Sequence, residues 1–235
     1  MSDDGKRRWK GPTGDKKTSG RRTGERKVIA YRAKSESSKK WIERQLSDPY
    51  VQKAQSEGYR ARAAYKLLEL DEQMKLLRNG LRVVDLGCAP GGWLQVCVRK
   101  GVSEVVGIDL LPVEPVPGAF IVQGDVDEPD DVAEMMSGLS GAPDLVLSDM
   151  AANTTGHKQT DSLRTAALAD IGLNFTMAHL RPGGAFCSKV FQGGATSEMM
   201  VRLKQHFKTV KHIKPPASRA GSPELFVVAK GFRGH

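Results

Sequence analysis

A run of small residues and one carboxylate, Asp85-Leu86-Gly87-Cys88-Ala89-Pro90-Gly91-Gly92-Trp93, is the part of the sequence best suited to bind a cofactor. Glycines at a turn let backbone N–H groups approach a ligand closely. The spacing matches neither the dinucleotide pattern G-x-G-x-x-G nor the phosphate-binding pattern G-x-x-x-x-G-K-[ST]. An acidic strand end followed by G-x-x-x-G, here Gly87 and Gly91, is typical of pockets for S-adenosylmethionine. We therefore predict methyl transfer.

Three further carboxylates follow predicted strands, at the edge where an open α/β sheet binds its ligands. Asp109 lies 22 residues beyond Gly87, where a carboxylate can accept hydrogen bonds from both ribose hydroxyls. Asp125 is expected to bind the adenine amino group while Val126 packs on the ring. Asp149 is expected where the methyl donor meets the acceptor.

The residues after the fourth predicted strand bear on which atom is methylated. They read Ser148-Asp149-Met150-Ala151-Ala152-Asn153 and lack the Asn/Asp-Pro-Pro-aromatic loop commonly used for a base nitrogen. Methylation of pyrimidine C5 needs a nucleophilic thiolate, but none of Cys88, Cys97 and Cys187 follows a proline. What remains is Lys189, late in the fifth predicted strand. It either extends to solvent or acts on the acceptor.

Two more groups are expected at the same edge of the sheet. Glu224 begins the last predicted strand, which runs antiparallel and therefore starts where the parallel strands end. Lys66 lies on the helix that precedes the first strand. We therefore expect four residues to converge beside the donor: Lys66, Asp149, Lys189 and Glu224.

The elements that must position these residues alternate between strands and helices. Strands are predicted at residues 81–86, 105–109, 120–123, 145–149, 185–191, 210–214 and 225–230. Strands separated by helical segments run parallel, whereas the last two are joined by a loop without a helix. We therefore predict an α/β, Rossmann-like S-adenosylmethionine-dependent methyltransferase fold. It has a seven-stranded, mostly parallel sheet, a C-terminal antiparallel hairpin and helices on both faces.

Positive charge is concentrated at the N-terminus. Residues 1–45 hold 15 of the 36 Lys and Arg and 6 of the 27 Asp and Glu, so the whole formal charge of +9 lies there. Residues 1–36 contain too few apolar residues to fold alone, and we predict a disordered basic arm followed by a catalytic domain at 37–235. A polyanion such as RNA is the natural partner of this arm, and a solubilising tail is the alternative.

Composition excludes several other classes of protein. The longest strongly apolar run, 225–229, is far too short to span a bilayer, and the charged N-terminus lacks the apolar stretch of a secretory signal. The three cysteines lack metal-ligand spacing, so we expect no metal and a reducing compartment. The cytoplasm is the expected location, with an organellar transit peptide as the alternative.

Five segments resemble the FtsJ-type ribose 2′-O-methyltransferases. They are YRARAAYKL at 59–67, DLGCAPGGW at 85–93, DLLP at 109–112, SDMA at 148–151 and KVFQG at 189–193, within a match from about 37 to 232. The four converging residues are similar to the K-D-K-E tetrad of that family. Two positions depart from the family pattern, Ala152 in place of proline and Cys88 in place of alanine. Neither change removes a polar group.

The resemblance implies a reaction and a substrate. Lys189 would accept the proton of a ribose 2′-hydroxyl, and the cofactor would be lined by Gly91, Trp93, Asp109, Asp125 and Asp149. A tryptophan at a helix start packs in a core as often as it covers a cofactor. The substrate would be a uridine in the A-loop of large-subunit (23S) ribosomal RNA, within the assembled subunit.

RNA is expected to cross a rim of basic residues, formed by Arg60, Arg62, Lys66, Lys39 and Lys40, and we expect a monomer. Three alternatives stay open. The chain could be a non-catalytic RNA-binding factor for ribosome assembly that keeps the pocket for structure. It could also be a 2′-O-methyltransferase of another RNA, or an O-methyltransferase of small molecules.

Overall fold

A central β-sheet organises the chain in the computed structural model, which describes residues 47–153, 155–192 and 197–234. Its strands are β1 (Arg82–Leu86), β2 (Glu104–Asp109), β3 (Phe120–Gln123), β4 (Leu145–Ser148), β5 (Ala185–Phe191), β6 (Phe207–Ile213) and β7 (Glu224–Phe232). They lie in the order β3-β2-β1-β4-β5-β7-β6. The predicted seven-stranded sheet is confirmed.

Six helices are described around this sheet: α1 (Pro49–Ser56), α2 (Ala63–Met74), α3 (Gly92–Arg99), α4 (Pro129–Ser137), α5 (Lys158–His179) and α6 (Ser197–His206). The start of α1 follows from its sequence, because Asp48 accepts a hydrogen bond from the Tyr50 N–H and Pro49 needs no partner in the first turn. The predicted arm and the predicted helix at 37–46 lie outside the described residues.

The strand directions bring the ends of distant segments to one edge of the sheet. Strands β1 to β5 are parallel, and the order reverses between β1 and β4, which opens a crevice beyond their carboxyl ends. Strand β7 is inserted antiparallel between β5 and β6. Its first residue, Glu224, pairs with Phe191, the last residue of β5. The predicted antiparallel C-terminal strands are confirmed.

Both faces of the sheet are buried, which explains why its central strands are apolar almost throughout. Val83 packs in the cluster that includes Leu67 of α2 and Leu94 of α3. Val84, the next residue, packs on the other face in the cluster that includes Leu173 of α5. This alternation within β1 fixes the direction of each side chain.

The end of α6 and the start of β6 differ from the prediction. Helix α6 passes directly into β6, which begins at Phe207 rather than at residue 210. Phe207 is almost fully buried and pairs with Phe232 of β7, so this apolar partner determines where the strand starts. No helix in the described part of the chain is long and apolar enough to cross a membrane.

Candidate active site

The loop between β1 and α3 follows the carboxyl end of β1. Gly87 has a φ of +74°, and a Cβ on it would lie 2.7 Å from Met150 Cγ and 2.8 Å from Met150 Cα. Gly91 has a φ of +102° and is the N-cap of α3. The positive φ therefore favours glycine at both positions. At Gly87 there is a second reason, because Met150, in the segment after β4, leaves no room for a Cβ.

Two of the predicted carboxylates are fixed by backbone N–H groups. Asp109 accepts hydrogen bonds from Ala89 N at 2.9 Å and from Leu111 N at 2.8 Å, one on each oxygen. Asp125 Oδ1 accepts one from Asp127 N at 3.0 Å. Both carboxylates therefore keep a defined orientation.

These carboxylates border a cavity of about 240 Å³ beyond the ends of β1, β2 and β3. Its lining includes Gly87, Asp109, Asp125, Val126, Met150 and Ile171. Four residues that the sequence predicted for the cofactor thus share one cavity. Met150 and Ile171 were missed, since apolar side chains after β4 and on α5 carry no motif.

Trp93, at the start of α3, was predicted to line the cofactor. Its side chain is buried in the core, where Nε1 donates a hydrogen bond to the Ala63 carbonyl oxygen at 2.7 Å. The indole ring lies 5.7 Å from the ring of Phe226. Trp93 therefore joins α3 to α2 and β7 instead of lining the described cavity.

Asp85 is the acidic residue of the predicted cofactor motif, but no particular contact was predicted for it. It is 1% exposed, and neither carboxylate oxygen has a hydrogen-bond partner among the described residues. Burial, and then the negative charges of Asp149 and Asp109, raise its pKa well above the usual value for aspartate. A lone carboxylate in the buried run Val83-Val84-Asp85-Leu86 was the available signal.

The residues at this edge fit S-adenosylmethionine. Asp109 and Asp125 offer acceptors for the ribose hydroxyls and the adenine amino group, and Val126 offers an apolar surface to the ring. Both carboxylate oxygens of Asp85, at the buried end of β1, lack a hydrogen-bond partner among the described residues, so this edge holds acceptors that the protein itself does not use. The site's own donors and acceptors thus agree with the cofactor that the glycine spacing predicted.

The four residues predicted to converge do so. Lys66 Nζ lies 2.7 Å from Glu224 Oε2 and 3.6 Å from Asp149 Oδ2. Lys189 Nζ lies 3.2 Å from Asp149 Oδ1 and donates a hydrogen bond to the backbone oxygen of Asp149 at 2.8 Å. Asp149 Oδ1 lacks hydrogen-bond geometry, so its contact with Lys189 is an ion pair without a directed hydrogen bond.

Charge and burial oppose each other at Lys66. Burial lowers its pKa, but the carboxylates of Asp149 and Glu224 outweigh this effect and hold the pKa above the usual value for lysine. Lys66 is therefore a fixed cation at neutral pH. Glu224 is itself held in place, because its Oε1 accepts a hydrogen bond from Ser218 Oγ at 2.6 Å.

A second cavity, of about 190 Å³, opens on the tetrad. We call it the acceptor cavity, and its lining includes Ala152, Asp161, Thr165, Lys189, Phe191 and Glu224. Ala151 lines both the acceptor cavity and the cavity of the cofactor residues. The two cavities are therefore neighbours, and Lys189 and Glu224 are the tetrad residues that line the acceptor cavity.

The two predicted RNA-binding arginines are engaged within the protein. The Arg60 guanidinium donates hydrogen bonds to the backbone oxygens of Pro90, Glu114 and Pro115. These hydrogen bonds join the loop between β1 and α3 to the segment after β2. Arg60 is exposed. Because its guanidinium already donates to three backbone oxygens, the geometry favours a structural role over phosphate binding.

The Arg62 guanidinium bonds to the Asp48 carboxylate and to the Ala217 carbonyl oxygen, and only 15% of its side chain is exposed. These contacts give Arg62 a structural role, and its predicted contact with RNA stays a prediction. Lys39 and Lys40, which were also proposed for RNA, lie outside the described residues.

The cysteines are poorly suited to nucleophilic chemistry. Cys88, Cys97 and Cys187 are all buried and free. Burial, followed by neighbouring aspartates, raises the pKa of each thiol. A thiolate is disfavoured at all three positions, which agrees with the absence of a Pro-Cys pair.

The comparison with known proteins identifies the family. The model of the FtsJ-like methyltransferases matches residues 59–232, and the chain belongs to this family of methyltransferases. It is 70% identical over 233 residues to the ribosomal RNA large subunit methyltransferase E of Hyphomonas neptunium, covering 99% of this chain and 100% of the relative. The protein of the same name from Sphingopyxis alaskensis is 58% identical, with 88% and 91% covered.

A solved structure supports the same placement. A ribosomal RNA methyltransferase of Plasmodium falciparum superposes with a TM-score of 0.67 at 30% sequence identity. The match covers 75% of this chain and 100% of that chain. The sequence-based resemblance to FtsJ-type enzymes is therefore confirmed.

Proposed function

We propose that this protein transfers the methyl group of S-adenosylmethionine to the ribose 2′-hydroxyl of a uridine in the A-loop of large-subunit ribosomal RNA, within the assembled subunit. The observation that carries the proposal is the meeting of Lys66, Asp149, Lys189 and Glu224 beside the cofactor cavity. The names of the relatives support large-subunit ribosomal RNA as the substrate. The resemblance in the motifs supports the uridine.

When bound, S-adenosylmethionine supplies a methyl group that is already electrophilic. The chain has two tasks, to align the 2′-oxygen and to remove its proton. Alignment can lower the barrier by about 7–11 kcal/mol, whereas a general base contributes roughly 100- to 10,000-fold in rate. Positioning is therefore the larger contribution.

Lys189 is the proposed proton acceptor. As the neutral amine, its Nζ takes the proton that the 2′-hydroxyl loses when the oxygen gains the methyl group. Asp149 pairs with both lysines, because its carboxylate lies 3.2 Å from Lys189 Nζ and 3.6 Å from Lys66 Nζ. Asp149 and Glu224 hold the two lysines in place.

Three wider features belong to the same proposal. Residues 1–36 form a basic arm that adds sequence-independent phosphate contacts, and residues 37–235 form the catalytic domain. The enzyme acts as a monomer in the cytoplasm. The charge of the arm, where the whole formal excess lies, supports a polyanionic partner.

The test uses large ribosomal subunits from cells that lack this enzyme. They are incubated with the full-length protein and methyl-labelled S-adenosylmethionine, and the label is mapped by nuclease digestion and nucleoside analysis. The Lys189→Met variant serves as the matched control. We expect label on one 2′-O-methyluridine with the wild type and very little with the variant.

The other results each reject a part of the proposal. Absence of label would favour a non-catalytic assembly factor, and label on a base would exclude ribose as the acceptor. Label on the ribose of a different RNA would keep the reaction and replace the substrate. Transfer to small hydroxylated compounds but to no RNA would reject the RNA substrate.

A further inference from the structure

An aromatic side chain stands at the acceptor cavity without a role in the tetrad. Phe191 is the last residue of β5 and lies two residues after Lys189, so both side chains project from the same face of the sheet. Its partner in the antiparallel register is Glu224. Phe191 is therefore placed among the tetrad residues by the pairing of β5 with β7.

The surroundings of Phe191 are unusual for a phenylalanine at the end of a central strand. It is half-buried and lines the acceptor cavity. Within the described part of the chain it belongs to none of the hydrophobic clusters or their packed neighbours, and it makes no ring contact with another aromatic residue. Core packing therefore does not explain why an aromatic ring is here.

We propose that Phe191 is the stacking platform for the base of the nucleotide that is methylated, an inference that rests on the proposed function. The base is attached to C1′, next to the carbon that bears the 2′-hydroxyl. A hydroxyl that reaches Lys189 therefore brings its base into or beside the acceptor cavity. Unstacked bases of RNA loops are commonly held on aromatic side chains in this way.

Two polar residues that line the same cavity, Asp161 and Thr165, indicate how selective this contact is. Asp161 already accepts hydrogen bonds from Thr155 and Gly156, and Thr165 Oγ1 donates to the Asp161 carbonyl oxygen. These two groups already have hydrogen-bond partners within the protein, whereas the ring of Phe191 offers the base an apolar face. Stacking accepts any base, so Phe191 contributes affinity and placement, and the choice of nucleotide comes from contacts elsewhere.

Two variants at the same position test the inference. Phe191→Leu keeps an apolar side chain without a π-face, and Phe191→Tyr keeps the face. Steady-state kcat/KM is measured on large subunits lacking the methyl group, with the dissociation constant for S-adenosylmethionine from calorimetry. We expect Phe191→Leu to lower kcat/KM by about 5- to 150-fold, the loss of one base–aromatic stack. Cofactor affinity should be retained, and Phe191→Tyr should recover most of the loss.

A matched control uses an aromatic residue outside the site. Phe120 in β3 is 42% exposed, and Phe120→Leu should leave kcat/KM unchanged. A direct measurement complements the kinetics. Large-subunit RNA with 5-iodouridine at the target nucleotide, photo-crosslinked to the Lys189→Met protein, should yield a peptide modified at Phe191.

Three results would overturn the inference. Wild-type kcat/KM in Phe191→Leu, or an equal loss in Leu and Tyr, would show that the π-face is not used. A crosslink confined to other residues would place the base elsewhere, even if Phe191→Leu failed to fold. Failure of the proposed function is a separate result, since the wild-type protein would then place no label on ribose. Ribose labelling with an unaffected Phe191→Leu rejects stacking alone.

Discussion

Lys189 and Asp149 meet twice at the carboxyl ends of β5 and β4. The ammonium nitrogen donates to the backbone oxygen of Asp149 at 2.8 Å and lies 3.2 Å from its carboxylate oxygen Oδ1. The two strands are neighbours in parallel register, so the sheet itself determines this distance. One aspartate thus orients the lysine through both its main chain and its side chain.

The first prediction separates proton acceptance from positioning at Lys189. Arginine can donate hydrogen bonds at this position but cannot be deprotonated under physiological conditions. We expect Lys189→Arg and Lys189→Met both to lower the single-turnover rate by about 100- to 10,000-fold, with cofactor affinity unchanged. Wild-type-like turnover of Lys189→Arg would exclude Lys189 as the base and leave it the role of fixing the hydroxyl.

A second prediction concerns the glycine at the cofactor loop. Gly87 and Gly101 have nearly equal φ angles of +74° and +76°, but only Gly87 has Met150 within contact distance of an added Cβ. Gly101→Ala should lower the free energy of unfolding by about 1–2 kcal/mol, the cost of a left-handed alanine. Gly87→Ala should cost roughly 1–3 kcal/mol more through overpacking.

Because Gly87 lines the cofactor cavity, its alanine variant should also bind S-adenosylmethionine more weakly. Urea denaturation and calorimetric titration of both variants provide the measurements. Equal behaviour of the two variants would show that the approach of Met150 carries no cost.

The third prediction is a pH dependence that arises from Asp85. Burial and two neighbouring carboxylates raise its pKa in the folded protein, so between the unfolded and the folded pKa the native state binds more protons than the unfolded state. Stability contributed by this group is therefore lost as pH rises above about 4. Asp85→Asn should remove this pH-dependent loss of stability. The difference in unfolding free energy between the variant and the wild type should therefore grow in favour of the variant from pH 4.5 to 7.5.

Asp144→Asn is the matched control for Asp85→Asn. Burial raises the pKa of Asp144, but hydrogen bonds from Arg82 and Arg181 outweigh it and hold the pKa below the usual value. Its stabilising contribution is fully present above the unfolded pKa and is lost only as pH falls below it. The control variant should lower stability by a nearly constant amount over this range. If the unfolding free energies of wild type and Asp85→Asn changed in parallel with pH, the raised pKa of Asp85 would be contradicted.

The fourth prediction treats Arg62 as a structural residue. Removing it leaves the Asp48 carboxylate, 9% exposed, without its closest cation. The expected loss is about 3 kcal/mol, the lower end for one partner of a buried pair, which corresponds to roughly 6–12 °C in Tm for a chain of this size. Thermal melts of Arg62→Ala and of Arg78→Ala, an exposed arginine before β1, make the comparison. If Arg62→Ala bound RNA more weakly but kept the wild-type Tm, the predicted contact of Arg62 with RNA would be supported instead.

Particular residues show how far sequence could predict this site. Asp109, Asp125 and Asp149 were predictable because each ends or follows a strand, and Lys189 because it lies late in one; parallel strands end at a common edge. The contacts of the Trp93 and Arg62 side chains were not predictable in this way. Their partners, Ala63 and Asp48, lie 30 and 14 residues away. The direction of a side chain between such partners depends on tertiary packing, which no local pattern contains.

The fifth prediction concerns the basic arm, residues 1–36. Replacing Lys16, Lys17, Arg21 and Arg22 by serine in the full-length chain should weaken binding to large-subunit RNA. The slope of log K against log salt concentration should become shallower by as much as about 3, because fewer counterions are released. Binding titrations from 50 to 300 mM salt measure it. An unchanged slope would show that these charges do not contact RNA.

The insertion of β7 between β5 and β6 has a consequence during protein synthesis. Lys66 and Glu224 are 158 positions apart, so their contact forms only after β7 has joined the sheet. A nascent chain that has not reached residue 224 therefore lacks the carboxylate that lies nearest to Lys66.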